Sequence, residues 1–495
     1  MMTRHALRPI HVAMFLSAAV CAAAGGQGPE FTGDADKPAF APPKYQLLRY
    51  REDWSGLADV PESGHADFWD ALKNVKLSED GEIRASFGGS LQLRFESWWH
   101  FGFLPSAAGD DTLLQGRLLL HADVHFGENF RAFVEGKSAL STDRSLPGGT
   151  RTADVDTLAL QQAFVDLRVP LDDDRASLVI RPGRQMYLFG KQRLVSPLAW
   201  SNTMRTWDGV TAILAWDNWR VEGFGSHFVP VRKYEYNRRS QDIVFFGAYA
   251  TGTFDKAGLS TDLYFLGLNK KLTQTFNGSS GSEDRYTFGA RVSGTVPETS
   301  FDYDVEAAYQ FGRVGSADVS AWMLGSQFGY TFAGAWSAPR VFGGVEFGSG
   351  DGSSGGNVQT FNQLFPLGHA YLGYIDLVGR QNVIAPNLGV KFTPFEKLTI
   401  ALNGLYFWRA STNDALYNAA GGVVRSGSGP LAPGQTGLSN SRDIGGELDL
   451  TFTCRFDRHT KVELGYSHFF PGDFIRETGP SNDVDFLYLQ VQYTF

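Results

Sequence analysis

From Ile83 onward the chain alternates apolar and polar residues almost one for one. Ile83, Ala85, Phe87, Gly89, Leu91, Leu93 and Phe95 stand against Arg84, Ser86, Ser90, Gln92, Arg94 and Glu96. A period of two puts the first set on one face of a strand and the second set on the other. The next run repeats the pattern, with Leu114, Leu118, Leu120, Ala122, Val124 and Phe126 opposite Gln115, Arg117, His121, Asp123 and His125. A turn at Gly127-Glu128-Asn129 leads directly into Phe130, Ala132 and Val134 opposite Arg131, Glu135 and Lys137, which predicts a hairpin. Later segments are cleaner still: Phe301, Tyr303, Val305, Ala307, Tyr309 and Phe311 oppose Asp302, Asp304, Glu306 and Gln310.

Segmented in this way, residues 83–495 predict eighteen strands. Short connections fall near 127, 172, 217, 256, 298, 335, 395 and 458, and longer ones near 105, 148, 198, 235, 277, 316, 365, 426 and 477. An even set of two-faced strands with alternately short and long links is the pattern of a membrane β-barrel, its short turns periplasmic and its long loops outside. The predicted fold class is therefore all-β: a single antiparallel transmembrane β-barrel of about 18 strands over 83–495, with a short N-terminal periplasmic segment. That segment, 25–82, holds Pro38, Pro42 and Pro43 and then HADFWDALKNVKL, where Phe68, Leu72 and Val75 share one helical face beside Trp69. It predicts a periplasmic arm with one short amphipathic helix.

Bulk composition changes this picture little. A chain with 43% hydrophobic and 20% charged residues, a net charge of −9 and a pI near 5.6 would suit a soluble enzyme. The 57 glycines and 14% aromatics, against 21 prolines and 6 methionines, favour strands and turns. The leader adds more. Arg4 and Arg8, an apolar run from Ile10 to Val20, and Ala22-Ala23-Ala24 predict a signal peptide over 1–24, cut after Ala24. No later stretch approaches the ~18 apolar residues of a spanning helix. An exported chain without a helical anchor is a soluble periplasmic or secreted protein or an outer-membrane barrel, and the alternation selects the barrel.

The stretch DFLYLQVQYTF keeps Leu487, Leu489, Val491, Tyr493 and Phe495 apolar to the end. A closing strand must pair with the one beginning near Ile83, because an open sheet edge cannot be satisfied in lipid. Tyr493 and Phe495 also resemble the aromatic signal read by the outer-membrane insertion machinery. The expected location is the outer membrane of a Gram-negative-type bacterium, with outer-membrane lipid and that machinery as partners.

Three stretches resemble the alginate export family of outer-membrane porins: YREDWSGLADVPESGHADFWDALKNVKL with FGGSLQLRFES, then GRQMYLFGKQRLVSPLAWSNTMRTWDGV, and finally YSHFFPGDFIRETGPSNDVDFLYLQVQYTF. The resemblance implies an eighteen-stranded barrel passing anionic polysaccharide outward through a charged constriction, with loops or turns controlling access. A polyanion pore needs several weak cationic contacts where the bore narrows. Arg94, Arg117, Arg131, Lys137, Arg168, Arg220, Arg291, Lys391, Arg409 and Arg455 fall on the predicted lumen face. Arg184, Arg193 and Arg205 lie in or beside the mid-chain motif, whose loop could fold inward. On the same face Glu96, Asp123, Glu135, Asp166, Glu222, Asp302, Asp304, Glu306, Glu447, Asp449 and Glu463 offer acidic partners, so the lumen is mixed rather than uniformly basic.

Signs of chemistry are weak. His121 and His125 both face inward, but four strand residues separate them by roughly 13 Å, too far to share a metal. No G-x-S-x-G stretch is present. The run GSGDGSSGG (348–356) lacks the Lys-Ser/Thr of a phosphate cradle and reads as a flexible outer loop. The three aspartates at 172–174 read as a solvated turn tip. Trp98, Trp99, Trp216, Trp219 and Trp408 fall near predicted strand ends, where an interfacial belt sits. The expectation is a channel for an anionic oligo- or polysaccharide or another small hydrophilic solute, with no enzymatic activity, cofactor, metal or nucleic-acid partner. A general or solute-selective uptake porin is the alternative within transport, and a barrel-embedded hydrolase or surface adhesin the alternative outside it.

Overall fold

The computed structural model describes residues 41–495 apart from 59, 62–63, 66 and 172–174. The leader with its cut after Ala24, and the acidic turn at 172–174, lie outside the described residues. Eighteen long strands follow one another around the sheet: β1 (Ile83–Trp99), β2 (Asp111–Phe126), β3 (Phe130–Ser141), β4 (Asp156–Leu171), β5 (Ala176–Gln185) and β6 (Thr206–Trp216). Next come β7 (Trp219–Val229), β8 (Ile243–Phe254), β9 (Leu259–Phe276), β10 (Ser279–Thr295), β11 (Phe301–Val314) and β12 (Ala317–Thr331). The circuit ends with β13 (Arg340–Gly348), β14 (Val383–Phe395), β15 (Leu398–Arg409), β16 (Asp443–Arg455), β17 (Thr460–Pro471) and β18 (Val484–Thr494). Each pairs antiparallel with its neighbours in sequence, and β18 closes on β1 with Ser90 opposite Thr494 and Trp98 opposite Phe486.

Burial is inverted relative to a water-soluble protein. Leu91, Leu93, Leu114, Leu120, Phe288 and Trp322 are exposed, while Gln92, Arg94, Arg117 and Glu135, their neighbours of opposite parity or partner strand, are buried. The outer face is apolar because lipid surrounds it, and the inner face carries the charges. Along the paired registers backbone donors of one strand meet acceptors of the next, the condition for crossing hydrocarbon with strands.

Two of the expected long outer loops are tight turns instead. Phe276 and Ser279 are joined only by Asn277 and Gly278, both at positive φ (39° and 92°), the conformation a two-residue hairpin demands. Val314 and Ala317 are joined by residues 315–316, with Gly315 at φ 58°. Extra length there goes into the strands, with β9 and β10 at 18 and 17 residues, so the wall itself rises where loops are short.

On the turn side, β1 starts seven residues before its pairing with β18 begins. The arm covers that free edge. Val75–Lys76 pairs with Ala85 and Arg84, and Lys73 Nζ donates to the Phe87 carbonyl at 2.6 Å. The expected amphipathic helix is a 3-10 turn, Phe68–Leu72, closed by a capping box between Asp67 and Asp70. Its buried residue is Asp70, whereas Phe68 is 79% exposed, so the face predicted to be apolar does not pack inward. Trp69 makes the contact instead: it stacks on Phe495 at 4.2 Å and donates to the Tyr493 hydroxyl at 2.7 Å. Trp98, assigned by sequence to a lipid belt, points inward and stacks on Phe486 at 3.9 Å.

Because stacking and one hydrogen bond contribute about 1–2 kcal/mol, Trp69→Ala is expected to loosen the arm locally around the Phe68–Leu72 turn without unseating the rest of it or opening the barrel. Limited proteolysis should cut faster within 53–74, while the folded barrel keeps its heat-dependent mobility on denaturing gels.

Candidate functional site

The mid-chain motif leaves β5 after Gln185 and returns at Thr206, and the 186–205 segment between them folds into the lumen. Its Tyr187, Phe189, Leu194 and Val195 are buried against inward-facing Phe224, Phe245, Tyr249, Tyr264 and Leu266 of the wall. Phe189 stacks on Tyr249 at 4.7 Å, and Tyr249 on Tyr264 at 5.3 Å. The long connection 349–382 joins it there. Ser196 N donates to Phe365 O, and Phe365 N to Leu194 O, both at 2.9 Å. Two loops from different parts of the barrel thus form one internal structure that narrows the bore.

Charge locks this structure to the wall in two opposite ways. Along β9 to β13 the wall supplies carboxylates and the loops supply arginine. Arg193 reaches Asp304 at 2.5 Å, Glu346 at 3.0 Å and Glu306 at 3.3 Å. Arg380, from the second loop, pairs with the other oxygen of Glu346. Arg291, on the wall, binds Asp262 at 2.8 Å and shares Asp304 at 2.5 Å. Along β1 to β3 the roles reverse. Arg94 donates to the carbonyl of Trp200 at 2.7 Å, Arg117 to those of Ala199 at 3.0 Å and Ser201 at 2.7 Å, and Lys137 to that of Thr203.

These contacts show how several of the pore-lining candidates are engaged with the acidic groups and carbonyls around them. Arg94 is also paired with Glu96 at 2.7 Å and Lys137 with Asp156 at 3.0 Å, and with Arg117 they are at most 5% exposed. Arg193 and Arg291 are equally committed. Arg184 is held by Asp208 at 2.6 Å. Arg409 is not in the bore at all: fully buried at the outer end of β15, it donates to the carbonyls of Thr412, Asp414, Ser439 and Ser441 and lies 3.7 Å from the Phe474 ring centre. It is a clamp on the outer loop 410–442.

Toward the turn side the lumen widens. Arg131 pairs with Asp123, Arg220 with Glu222 at 2.7 Å, and Asp302 with Arg340 at 2.5 Å. Arg168 lines the turn-side cavity, and Lys391 and Arg455 are exposed near the same rim. Among the acidic candidates, Asp166 is bound by Arg181 at 2.6 Å, Glu306 accepts from Tyr264 at 2.9 Å and Glu463 from Tyr488 at 2.7 Å. Glu135 accepts from Gln162 at 3.1 Å, Glu447 from the Ile375 amide at 2.9 Å and Asp449 from Ser467 at 2.6 Å. Glu447 thereby ties β16 to the inner loop.

Sequence reasoning missed Arg181, Arg285 and Arg340 on the wall, and Arg380 in the loop. Arg285 shares the parity of Glu283 and Arg291 on β10 and could have been found there. Arg380 had no periodic signal, since it lies in irregular chain.

Inside the narrowed part of the bore two candidates, Arg117 and Arg205, are held by carbonyl and amide oxygens rather than carboxylates among the described residues. Arg205 donates to the carbonyls of Pro366 at 2.9 Å and Ser196 at 3.5 Å, one on each inner loop, and has no carboxylate partner among the described residues. Burial without such a partner pushes its guanidinium down to about 10, still charged at neutral pH. It faces a cavity of about 620 Å³ that opens toward the outer loops and is also lined by Arg94, Glu96, Trp200, His369 and Asp376. Trp200 is no free stacking platform, because His369 covers one face at 3.7 Å and Arg94 lies 4.1 Å from its ring centre.

A closed barrel with an apolar outer face and a loop-narrowed, charged lumen defines an outer-membrane channel. The alginate export family matches residues 83–488, and the chain belongs to that family. No curated protein sequence matches it significantly. Among solved structures it is similar to OpdQ of Pseudomonas aeruginosa, at 14% identity and a TM-score of 0.54, over 85% of this chain and 99% of that one. It is also similar to a BenF-like porin from Pseudomonas fluorescens Pf-5, at 12% identity and a TM-score of 0.53, over 83% and 99% of the two chains. The outer membrane protein OpdK of Pseudomonas aeruginosa gives 10% identity and a TM-score of 0.53, over 83% and 98%. These likenesses establish the shared barrel.

Breaking a buried charge cluster on one side costs about 3–5 kcal/mol. Arg193→Ala, which leaves Glu306 without its cation and Asp304 and Glu346 with only Arg291 and Arg380, is expected to release the 186–205 loop. Single-channel recordings should show larger and noisier conductance than the parent. A second expectation concerns the outer end of the same structure. The glycine-rich run at 348–356, read from sequence as flexible, contains buried Asp351, whose amide donates to Asp414 at 2.8 Å. Burial, and then the Asp414 charge, raise the Asp351 carboxyl from 3.8 to about 6. Packing that disfavours the charged form holds best at low pH and weakens as pH rises through about 6. Proteolysis of the 349–382 loop from outside should therefore quicken between pH 5 and pH 7.5 (roughly one unit either side of that value), and Asp351→Asn should abolish the difference.

Proposed function

We propose that this channel passes an acidic polysaccharide or its oligosaccharide fragments, and that Arg205 is the contact such a chain meets where the bore narrows. The observation that carries this reading is the Arg205 guanidinium itself: charged, held in place by carbonyls from both inner loops, and without a carboxylate partner among the described residues. A passing carboxylate can pair with it transiently, while neighbouring Glu96 and Asp376 keep the site from binding a polyanion too tightly to release. Family membership supports the same cargo class. In this reading the protein performs no chemistry, and transport direction follows the gradient.

Export and assembly complete the proposal. The leader 1–24 directs secretion and is removed after Ala24, 25–82 remains periplasmic, and Tyr493 and Phe495 serve as the signal for the insertion machinery. The remaining lumen charges, Arg131, Arg168, Arg220, Lys391 and Arg455 with Asp123, Asp166 and Glu222, solvate the wider turn-side bore.

A charge-assisted hydrogen bond contributes about 1.5–3 kcal/mol. In planar bilayers, Arg205→Ala is expected to raise the half-blocking concentration of an oligouronate by about tenfold or more, to leave block by a neutral oligosaccharide unchanged, and to shift ion selectivity toward cations. Parent channels that ignore oligouronates altogether would return the solute-selective porin in place of this reading.

A further inference from the structure

The arm does more than cover the edge of β1. At the first of its short 3-10 turns, Arg49–Arg51, which is followed by a second at Ser55–Leu57, it enters the turn-side mouth of the barrel. Leu48 and Tyr50, at 2% and 7% exposure, are buried against Leu119 of β2, Phe133 of β3 and Phe164 of β4. Those three wall residues have lumen parity, flanked along their strands by Arg117 and His121, Arg131 and Glu135, and Gln162 and Asp166. A water-filled bore has no use for an apolar patch among charges. Here the patch is a seat, and Tyr50 fills it, edge-on to Phe164 at 5.0 Å and to Phe133 at 5.6 Å.

Polar contacts hold the seated segment. Arg131 donates to the Tyr50 carbonyl at 2.7 Å, and the Arg181 guanidinium lies 4.3 Å from the Tyr50 ring centre. Arg49 donates to the carbonyls of Gly89 and Phe495, both at 2.9 Å. The segment also divides the space it occupies. A cavity of about 440 Å³ touches Tyr50, Arg51 and Arg181, and another of about 910 Å³ touches Glu52, Asp53 and Trp54, while Arg131 and Asp166 line both. Met186 and Met204, at the two ends of the 186–205 loop, join the same apolar cluster, so the seated arm touches the structure that narrows the bore.

We propose that residues 44–55 form a displaceable plug of the turn-side mouth, with Tyr50 as its latch, and that solute passes only when the plug leaves its seat. The contacts of Trp69 and Lys73 with the barrel edge keep a displaced plug tethered. The device requires only that the barrel conducts, and is independent of the charge of the cargo.

The test joins the plug to its seat in the full chain, with Tyr50→Cys and Phe133→Cys together. In planar bilayers the oxidised, cross-linked protein is expected to conduct about tenfold less than the same protein after reduction, with the Tyr50–Phe133 link verified by mass spectrometry. Tyr50→Ala alone should raise the fraction of time the channel is open. Equal conductance before and after reduction overturns the proposal, as does failure of the two cysteines to join in the folded barrel. If Tyr50→Ala does not insert, the cross-linked pair decides.

Discussion

The lumen of this barrel has to neutralise itself. Lipid outside forces apolar side chains onto one face of every strand, so nearly all the charge of the wall is driven to the other face. There it is crowded into a space narrowed by two loops, and much of it is out of contact with water. An unpaired charge in such a place costs several kcal/mol. The inner loops therefore cannot be arbitrary chain. They must bring groups that answer the wall, and their positions follow from that requirement.

The answer differs between the two halves of the circumference. Where β9 to β13 present Asp262, Asp304, Glu306 and Glu346, the loops deliver Arg193 and Arg380 and the wall adds Arg291. Where β1 to β3 present Arg94, Arg117 and Lys137, the loop offers carbonyls within residues 199–203. Arg205 is bound to both loops through carbonyls and, among the described residues, to no carboxylate. The turn side repeats the logic with the arm, whose Tyr50 carbonyl and ring occupy Arg131 and Arg181.

Legibility in the sequence followed solvent exposure. Strands such as β1, β2 and β11 face lipid outside and polar groups inside, so their alternation was plain, and β1 and β18 could be matched as the closing pair. Strands β8 and β9 were harder, because Phe245, Leu266 and Leu268 are apolar on the lumen face to receive the inner loops. The outer connections near 277 and 316 were read as long because the facing ends of β9 and β10 are mostly polar over 269–275 and 279–285, and Gly312, Arg313, Gly315, Ser316 and Asp318 interrupt the alternation of β11 and β12, so that strand looks like loop. Arg409 had the right parity and the wrong height, since parity specifies which face a residue takes but not how far along the barrel it sits.

What the sequence determined by itself is what the two-residue period and the chain's own neighbours set: the barrel, its strand number, the pairing of its first and last strands, and the two faces of each cleanly alternating strand. Those follow from local geometry, because successive side chains of a strand must take opposite faces. What only the tertiary structure decided is which inward cations pair with carboxylates and which are held by carbonyls. Arg193 meets Glu346 across 153 positions of chain, and Arg205 meets Pro366 across 161. No periodicity encodes such distances. They arise when two irregular loops fold into one lumen, where the energy of burying charge selects the partners.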